Sequence, residues 1–249
     1  MQASEPVFAT CFGSRLDGTI RSAMPPEYPA VCFATRTAPT SVGRPPQLRL
    51  AALHQEALAD LLPVLLCGEE SAALAFARFS GDCEFSQRAR AELEQIGNDE
   101  RQHEAQLQAL RQALPPAAGE DEVRRAARRF FARAGGRDPG KHFARILALD
   151  SGVCVLLGAL RGRGLPLATD GYVSAILTRI HRDEVRHVMV SRRYAGLLLE
   201  KRQAYAVAQE MRERLAVLMA LRGAALETLG VDTDRLFGRL RRVPRALSI

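Results

Sequence analysis

From residue 47 onward the apolar positions recur every three to four residues, the period of an amphipathic helix. Residues 47–61 (QLRLAALHQEALADL) read as a short lead-in helix, and Pro63 suits the first turn of a second over 63–79, ended by Gly81. Residues 83–113 give a long helix with no internal proline, broken by Pro115, Pro116 and Gly119. A short, very basic helix over 120–134 closes at Gly135 and Gly136. Asp138-Pro139 supplies an N-cap followed by proline at the first helical position and opens a helix to about 161. After a turn at Gly162, Gly164 and Pro166, helices follow over about 169–198 and 200–229, with a short tail helix over 232–242. Four long helices plus one more, with the longest connection between the second and third, predict an all-α four-helix bundle with extra helices.

Residues 1–46 lack that period and are punctuated by Pro25, Pro26, Pro29, Pro39, Pro45 and Pro46. They divide the chain into an irregular N-terminal arm, 1–46, and a helical domain, 47–249. The apolar runs Val7–Phe12 and Ala30–Thr35 pair as a small hairpin or form an arm lying on the domain. The absence of Trp and the 6% aromatic content leave a core of Leu, Ala and Val, which favours helices over a β-sandwich.

The net charge of +7 permits binding to nucleic acid or anionic membrane without showing it. The arginines are spread along the chain, and Lys occurs only at 141 and 201, so no basic block forms. Five cysteines with no C-x-x-C speak against a disulfide framework or a cysteine zinc site and make a reducing cytoplasm the default. No run of about 18 apolar residues occurs, so no membrane span is expected. The segment MQASEPVFATCFG has neither a charged n-region nor a long apolar stretch and is not expected to be a secretory signal. Protease, hydrolase and nucleotide motifs are missing.

One internal repeat carries chemistry. Glu70-Ser71 is followed by Asp99-Glu100-Arg101-Gln102-His103, and Asp150-Ser151 by Asp183-Glu184-Val185-Arg186-His187. Each Glu-x-x-His sets two metal-ligating groups one turn apart on one helix face. That face is otherwise apolar: Leu93, Ile96, Leu107 and Leu110 flank the first pair, and Val173, Ile176, Ile180 and Tyr194 flank the second. The acids and imidazoles therefore point inward, where unpaired charge is costly. Two dications shared among Glu70, Glu100, His103, Asp150, Glu184 and His187 would neutralise them, and mixed oxygen and nitrogen ligation suits iron or manganese. Roughly 0.3 Glu-x-x-His is expected by chance in a chain of this composition. Two copies, each preceded by Asp and each inward-facing, point to a dimetal site.

With those residues in place, the doubled carboxylate, D-E-x-x-H pattern resembles the diiron-carboxylate oxidases and oxygenases of the ferritin-like superfamily. Their members include hydrocarbon monooxygenase hydroxylases, acyl-carrier-protein desaturases and para-aminobenzoate N-oxygenase. The resemblance covers about residues 63–198. It implies that Glu100 and Glu184 are the bridging carboxylates at the catalytic centre. It also implies that Asp99 and Asp183 hold the histidine rings by their distal nitrogens and that Arg186 ties to the opposite Asp. Gln102 stands where the first motif would have Arg, and Asp150 where most members have Glu; the chain is also much shorter than the monooxygenase hydroxylases.

Glu69 competes with Glu70 for the first ligand position. Glu69 follows Gly68 as the first ligand does in rubrerythrin-like chains, and the internal repeat, with Ser next, favours Glu70. Tyr194 reads as a core tyrosine or as a redox-active one near the metal. Cys67 and Cys154 read as small core hydrophobes or pocket-lining groups, and His54, His142 and His181 as surface or capping residues. Helix 120–134 reads as a solvated face or as a docking site for an acidic carrier or nucleic acid.

The leading reading is a cytoplasmic non-haem enzyme holding two iron ions, with Mn/Fe or Mn/Mn as ligand-compatible alternatives. It would use O2 as co-substrate and an external electron donor to oxidise a small or carrier-bound substrate at C–H or N–H, as a homodimer. The alternative is a ferroxidase or iron-handling protein without organic substrate. A basic module binding nucleic acid or a partner protein ranks last, because it leaves the doubled motif unexplained.

Overall fold

The computed structural model describes residues 47–243. The N-terminal arm, with its hairpin alternative, falls outside them. The described chain is all-α, with no strand among the described residues: α1 (Ala52–Gly81), α2 (Gln87–Gln112), α3 (Glu120–Ala134), α4 (Pro139–Leu160), α5 (Pro166–Thr169), α6 (Gly171–Leu198), α7 (Lys201–Ala220), α8 (Gly223–Thr228) and α9 (Thr233–Leu240).

Side-chain oxygens cap the helices, at Asp138 and Asp232 where the sequence places the starts and at Ser86 three residues after the start expected at 83. Ser86 accepts from Ala89 N at 3.2 Å, Asp138 from Lys141 N at 3.0 Å, and Asp232 from Arg235 N at 2.9 Å. Asp170 accepts from Tyr172 N and Val173 N and also from Arg49 N at 2.6 Å, which ties the entry of α1 to the start of α6. Two boundaries differ from expectation. The lead-in helix and its successor are one helix, α1, with Pro63 inside it. An internal proline costs about 3 kcal/mol, and the burial of Leu58, Leu61, Leu62, Leu65 and Leu66 around it offsets that cost. The helix expected over 200–229 is divided at Leu221–Arg222 into α7 and α8.

The four long helices α1, α2, α4 and α6 run antiparallel to their neighbours. Across α1 and α2, Glu69 meets His103 while Phe79 meets Phe85. Across α2 and α6, Asp99 meets His187 and Asp183 meets His103. Across α4 and α6, a Cβ at Gly140 would lie 3.0 Å from the Leu198 carbonyl, so that close approach depends on glycine. The connection from α2 to α4 carries α3, which packs on α1, and α7 packs along α4.

The core divides along the helix axes. One apolar cluster includes Leu58–Leu66, Leu107, Leu110, Leu156–Leu160, Ile176 and Ile180. The other is aromatic: Phe76, Phe79, Phe85, Phe143 and Tyr194, with Phe79 stacked on Phe143 at 4.4 Å and Phe143 on Tyr194 at 5.0 Å. A layer of acids and imidazoles lies between them. α4 is long and apolar enough to cross a membrane, but 61% of its apolar window is buried inside the protein, where it forms core.

Arg212 is fully buried and donates to Leu240 O at 2.6 Å, Arg239 O at 2.8 Å and Ser151 Oγ at 3.0 Å. Burial lowers its pKa only to about 10, so it stays cationic at neutral pH and clamps α7, the end of α9 and α4 beside Asp150. His142 is not a surface residue: it is buried with its ring 5.0 Å from that of Phe79. Burial, with Arg78 and Arg145 nearby, lowers its pKa from 6.5 to about 3. Below pH 6.5 the unfolded chain takes up a proton there that the folded chain refuses, so stability falls as pH drops from 6.5 toward 3. His142→Phe is expected to flatten this acid-side loss by up to about 1.4 kcal/mol per pH unit, measured as the difference from wild type in urea unfolding between pH 7 and 5.

Candidate metal centre

Four helices deliver one buried layer. α1 contributes Glu69, α2 Glu100 and His103, α4 Asp150, and α6 Glu184 and His187. His103 and His187 are fully buried, Glu100 is 1% exposed, and Glu69 and Asp150 are each 6% exposed. One ligand atom from each of Glu69, Glu100, His103 and Glu184 lies within 4.8 Å of the others.

The rings face inward by Nδ1. His103 Nδ1 is 3.2 Å from Glu69 Oε2, 3.6 Å from Glu100 Oε2 and 3.8 Å from Glu184 Oε1. His187 Nδ1 is 3.0 Å from Glu100 Oε1 and 3.7 Å from Glu184 Oε1. Glu100 thus turns one oxygen to each histidine, and Glu184 Oε1 lies within 4 Å of both. Both carboxylates therefore lie between the two imidazoles.

The distal nitrogens are held across motifs. His187 Nε2 lies 3.4 Å from Asp99 Oδ2, and His103 Nε2 lies 3.2 Å from Asp183 Oδ2. The Asp of each motif therefore orients the histidine of the other, and Arg186 pairs with the opposite Asp99. Asp183 has no counterpart arginine at position 102. Arg182 Nε reaches it at 3.3 Å and Arg179 Nε at 3.9 Å, and Gln102 accepts a hydrogen bond from Arg179. The substitution thus relocates the cationic support from α2 to α6.

The structure does not bring Glu70 into the layer: its Oε2 pairs with Arg128 Nη2 of α3 at 3.4 Å, and the adjacent Glu69 lies among the grouped carboxylates and imidazoles instead. The apolar pattern does not choose between the two: Leu62, Leu65 and Phe76 on the Glu69 face and Leu66, Cys67 and Ala73 on the Glu70 face are all buried.

Electrostatics show the strain of packing these groups together. Burial pushes Glu69 and Asp150 well above the usual carboxylate range, reinforced at Asp150 by Glu184 and Glu100. Burial and Glu100 also raise Glu184. Burial acts in the same direction on Glu100, but the hydrogen bonds with His103 and His187 outweigh it and hold Glu100 well below that range. Burial would lower the histidines, yet the carboxylates around them push His103 up to about 11 and His187 up to about 12. Asp150 Oδ2 is buried with no hydrogen bond, and Glu100 Oε1 and His187 Nδ1, though 3.0 Å apart, are poorly aligned for one. Orphaned inward-facing donor atoms of mixed oxygen and nitrogen type are what divalent cations would satisfy, so the residues fit a pair of ions.

A cavity of about 70 Å³, partly open to solvent, adjoins the layer. Glu69, Glu100, Asp150 and Glu184 all line it and neither histidine does, so it meets the carboxylate side. Its remaining walls are mainly apolar, including Val64, Leu65, Ala72, Ile146, Leu156 and Met219. Cys67 and Cys154 do not line it, and burial raises their thiols to about 11 and about 12, which keeps them protonated. Tyr194 is a core residue whose hydroxyl donates to Glu92 Oε2 at 3.1 Å. No family model matches the chain, and no curated protein or solved structure matches it.

Glu69→Ala is expected to cut Mn(II) or Fe(II) binding sharply, while Glu70→Ala leaves it near wild type. Asp99→Ala, which frees the His187 ring, is expected to weaken binding about 10–100-fold. Metal titration of the three variants checks this, and equal losses at Glu69 and Glu70 would return Glu70 to the ligand set.

Proposed function

We propose that the protein is a non-haem dinuclear iron oxidase or oxygenase of the ferritin-like kind, acting on an organic substrate. The observation that carries this reading is the buried six-residue layer whose carboxylate side opens on an apolar pocket. Glu69, Glu100, His103, Asp150, Glu184 and His187 would hold two iron ions, with Glu100 and Glu184 between them. Bound there, iron would supply the electron transfer that activates O2, recharged by an external donor.

The chain's own residues do the rest. Asp99 and Asp183 keep each Nε2 engaged, so each Nδ1 faces the layer. The two apolar clusters above and below exclude water from the layer and limit side reactions. The pocket walls present a C–H or N–H bond to the carboxylate side. Iron handling without organic substrate uses the same ligands but has no use for such a pocket. The basic-module reading loses ground because α3 spends much of its charge internally: Glu120 pairs with Arg111 and Arg124, and Glu70 with Arg128. Operation in the cytoplasm as a homodimer belongs to the same proposal.

The test is anaerobic Fe(II) loading followed by rapid mixing with O2 under optical detection. About two iron per chain and a transient visible band are expected. Uptake of many more iron atoms as ferric oxide would favour iron handling, and no metal uptake would overturn the proposal.

A further inference from the structure

We infer that the two ion positions of the centre are unequal: Glu69, Glu100, His103 and Glu184 form a complete position that fills first, and the position on the His187 side fills second and more weakly because Asp150 stands short of it. The inference rests on the dinuclear reading for the number of ions, but not for which donors stand ready.

The donors on the His103 side are already spaced for one ion. Donor atoms that share a first-row dication at about 2.1 Å stand about 3.0 Å apart when adjacent and about 4.2 Å apart when opposite. From His103 Nδ1, Glu69 Oε2 lies at 3.2 Å, Glu100 Oε2 at 3.6 Å and Glu184 Oε1 at 3.8 Å, all inside that range. Three helices, α1, α2 and α6, bring these groups together, and one donor atom of each lies within 4.8 Å of the others. The ring is fixed from behind by Asp183, which Arg179 and Arg182 reach in turn. Little has to move for an ion to enter here.

The His187 side is one donor short. His187 Nδ1 has Glu100 Oε1 at 3.0 Å and Glu184 Oε1 at 3.7 Å, but that Glu184 oxygen is the one that also serves His103. Asp150 is the remaining carboxylate of the layer. It lies outside the close group, and among the described residues it pairs with neither ring. Its Oδ2 is buried with no hydrogen bond, so no other partner claims it.

Asp150 is also held where it stands. An aspartate is one methylene shorter than the three glutamates of the layer, about 1.5 Å of reach. The α4 backbone around it is anchored to α7, which contributes nothing to the layer. Arg212 of α7 donates from Nη1 to Ser151 Oγ at 3.0 Å and to Ala148 O at 3.5 Å, while its Nε and Nη2 hold Leu240 O and Arg239 O. A Cβ at Gly152 would stand 2.4 Å from Leu215 Cδ2, so α4 and α7 already touch there. With α4 tied down on both sides of Asp150, only rotation of a short side chain is left to complete the second position, and binding there is weaker for it.

The test is anaerobic Mn(II) titration of the metal-free full chain, with bound metal counted and the bound ion followed by electron paramagnetic resonance. Two steps are expected: one equivalent with the spectrum of an isolated Mn(II), then a second, bound about tenfold or more weakly, that replaces it with the signal of a coupled pair. Asp150→Asn is expected to abolish the second step and leave the first unchanged. Asp150→Glu, which restores the missing methylene, is expected to draw the two steps together, and Glu69→Gln to weaken the first. Uptake of both ions in a single step by the wild-type chain overturns the inference, whether or not the variants fold, and leaves the dinuclear reading standing. Loss of the first step in Asp150→Asn also overturns it. One equivalent and no more at any Mn(II) concentration would keep the His103 position and sink the dinuclear reading alone.

Discussion

The structure depends on one electrostatic constraint: four carboxylates and two imidazoles share a dry layer between two apolar clusters. Burying a charge without partners costs several kcal/mol, and here each helix brings one or two. The layer holds together because the charges alternate. Glu100 sits between both rings, which drives it to the anionic form and the rings to the cationic form. Glu69, Glu184 and Asp150 have too little positive charge left to share and are pushed the other way. Protonation is thus an incomplete solution, as the orphaned atoms show, and cations fit what remains.

The same constraint explains the cross-motif pairing. A histidine can face the layer by Nδ1 only if something fixes the ring from behind. The helix opposite supplies that group because α2 and α6 are antiparallel and carry the same D-E-x-x-H at the same level. Arg186 then answers the charge of Asp99, while Arg179 and Arg182 answer Asp183. The two halves of the site share the motif but take the arginines that support each Asp from different positions. Arg212, buried behind Ser151 and holding the carbonyls at the end of α9, gives α4 a comparable support on the Asp150 side.

Reactivity follows from where the layer is closed and where it is open. The histidine side is closed by α2 and α6 packed together. The carboxylate side is open to the pocket, which residues of α1 and α4 line. The pocket has mainly apolar walls beside a carboxylate-rich centre, with Arg145 also in its lining.

Much of this was legible in the sequence. The doubled D-E-x-x-H fixes which face of α2 and α6 carries acids and imidazoles, because residues three apart on a helix share a face whatever packs against it. The helix start at Asp138 follows from local capping chemistry, which needs no tertiary partner. The choice between Glu69 and Glu70 was decided by the fold. Neighbours on a helix point about 100° apart, and only the packing of the Leu58–Phe76 stripe and the contact of Gly68 with Phe131 set the rotation of α1. Continuity through Pro63 was likewise decided by burial, which outweighed a local penalty. The neutral buried His142, the relocated arginines at Asp183 and the apolar-walled pocket each join groups far apart in the chain, and their identities depend on distances that only the folded helices set.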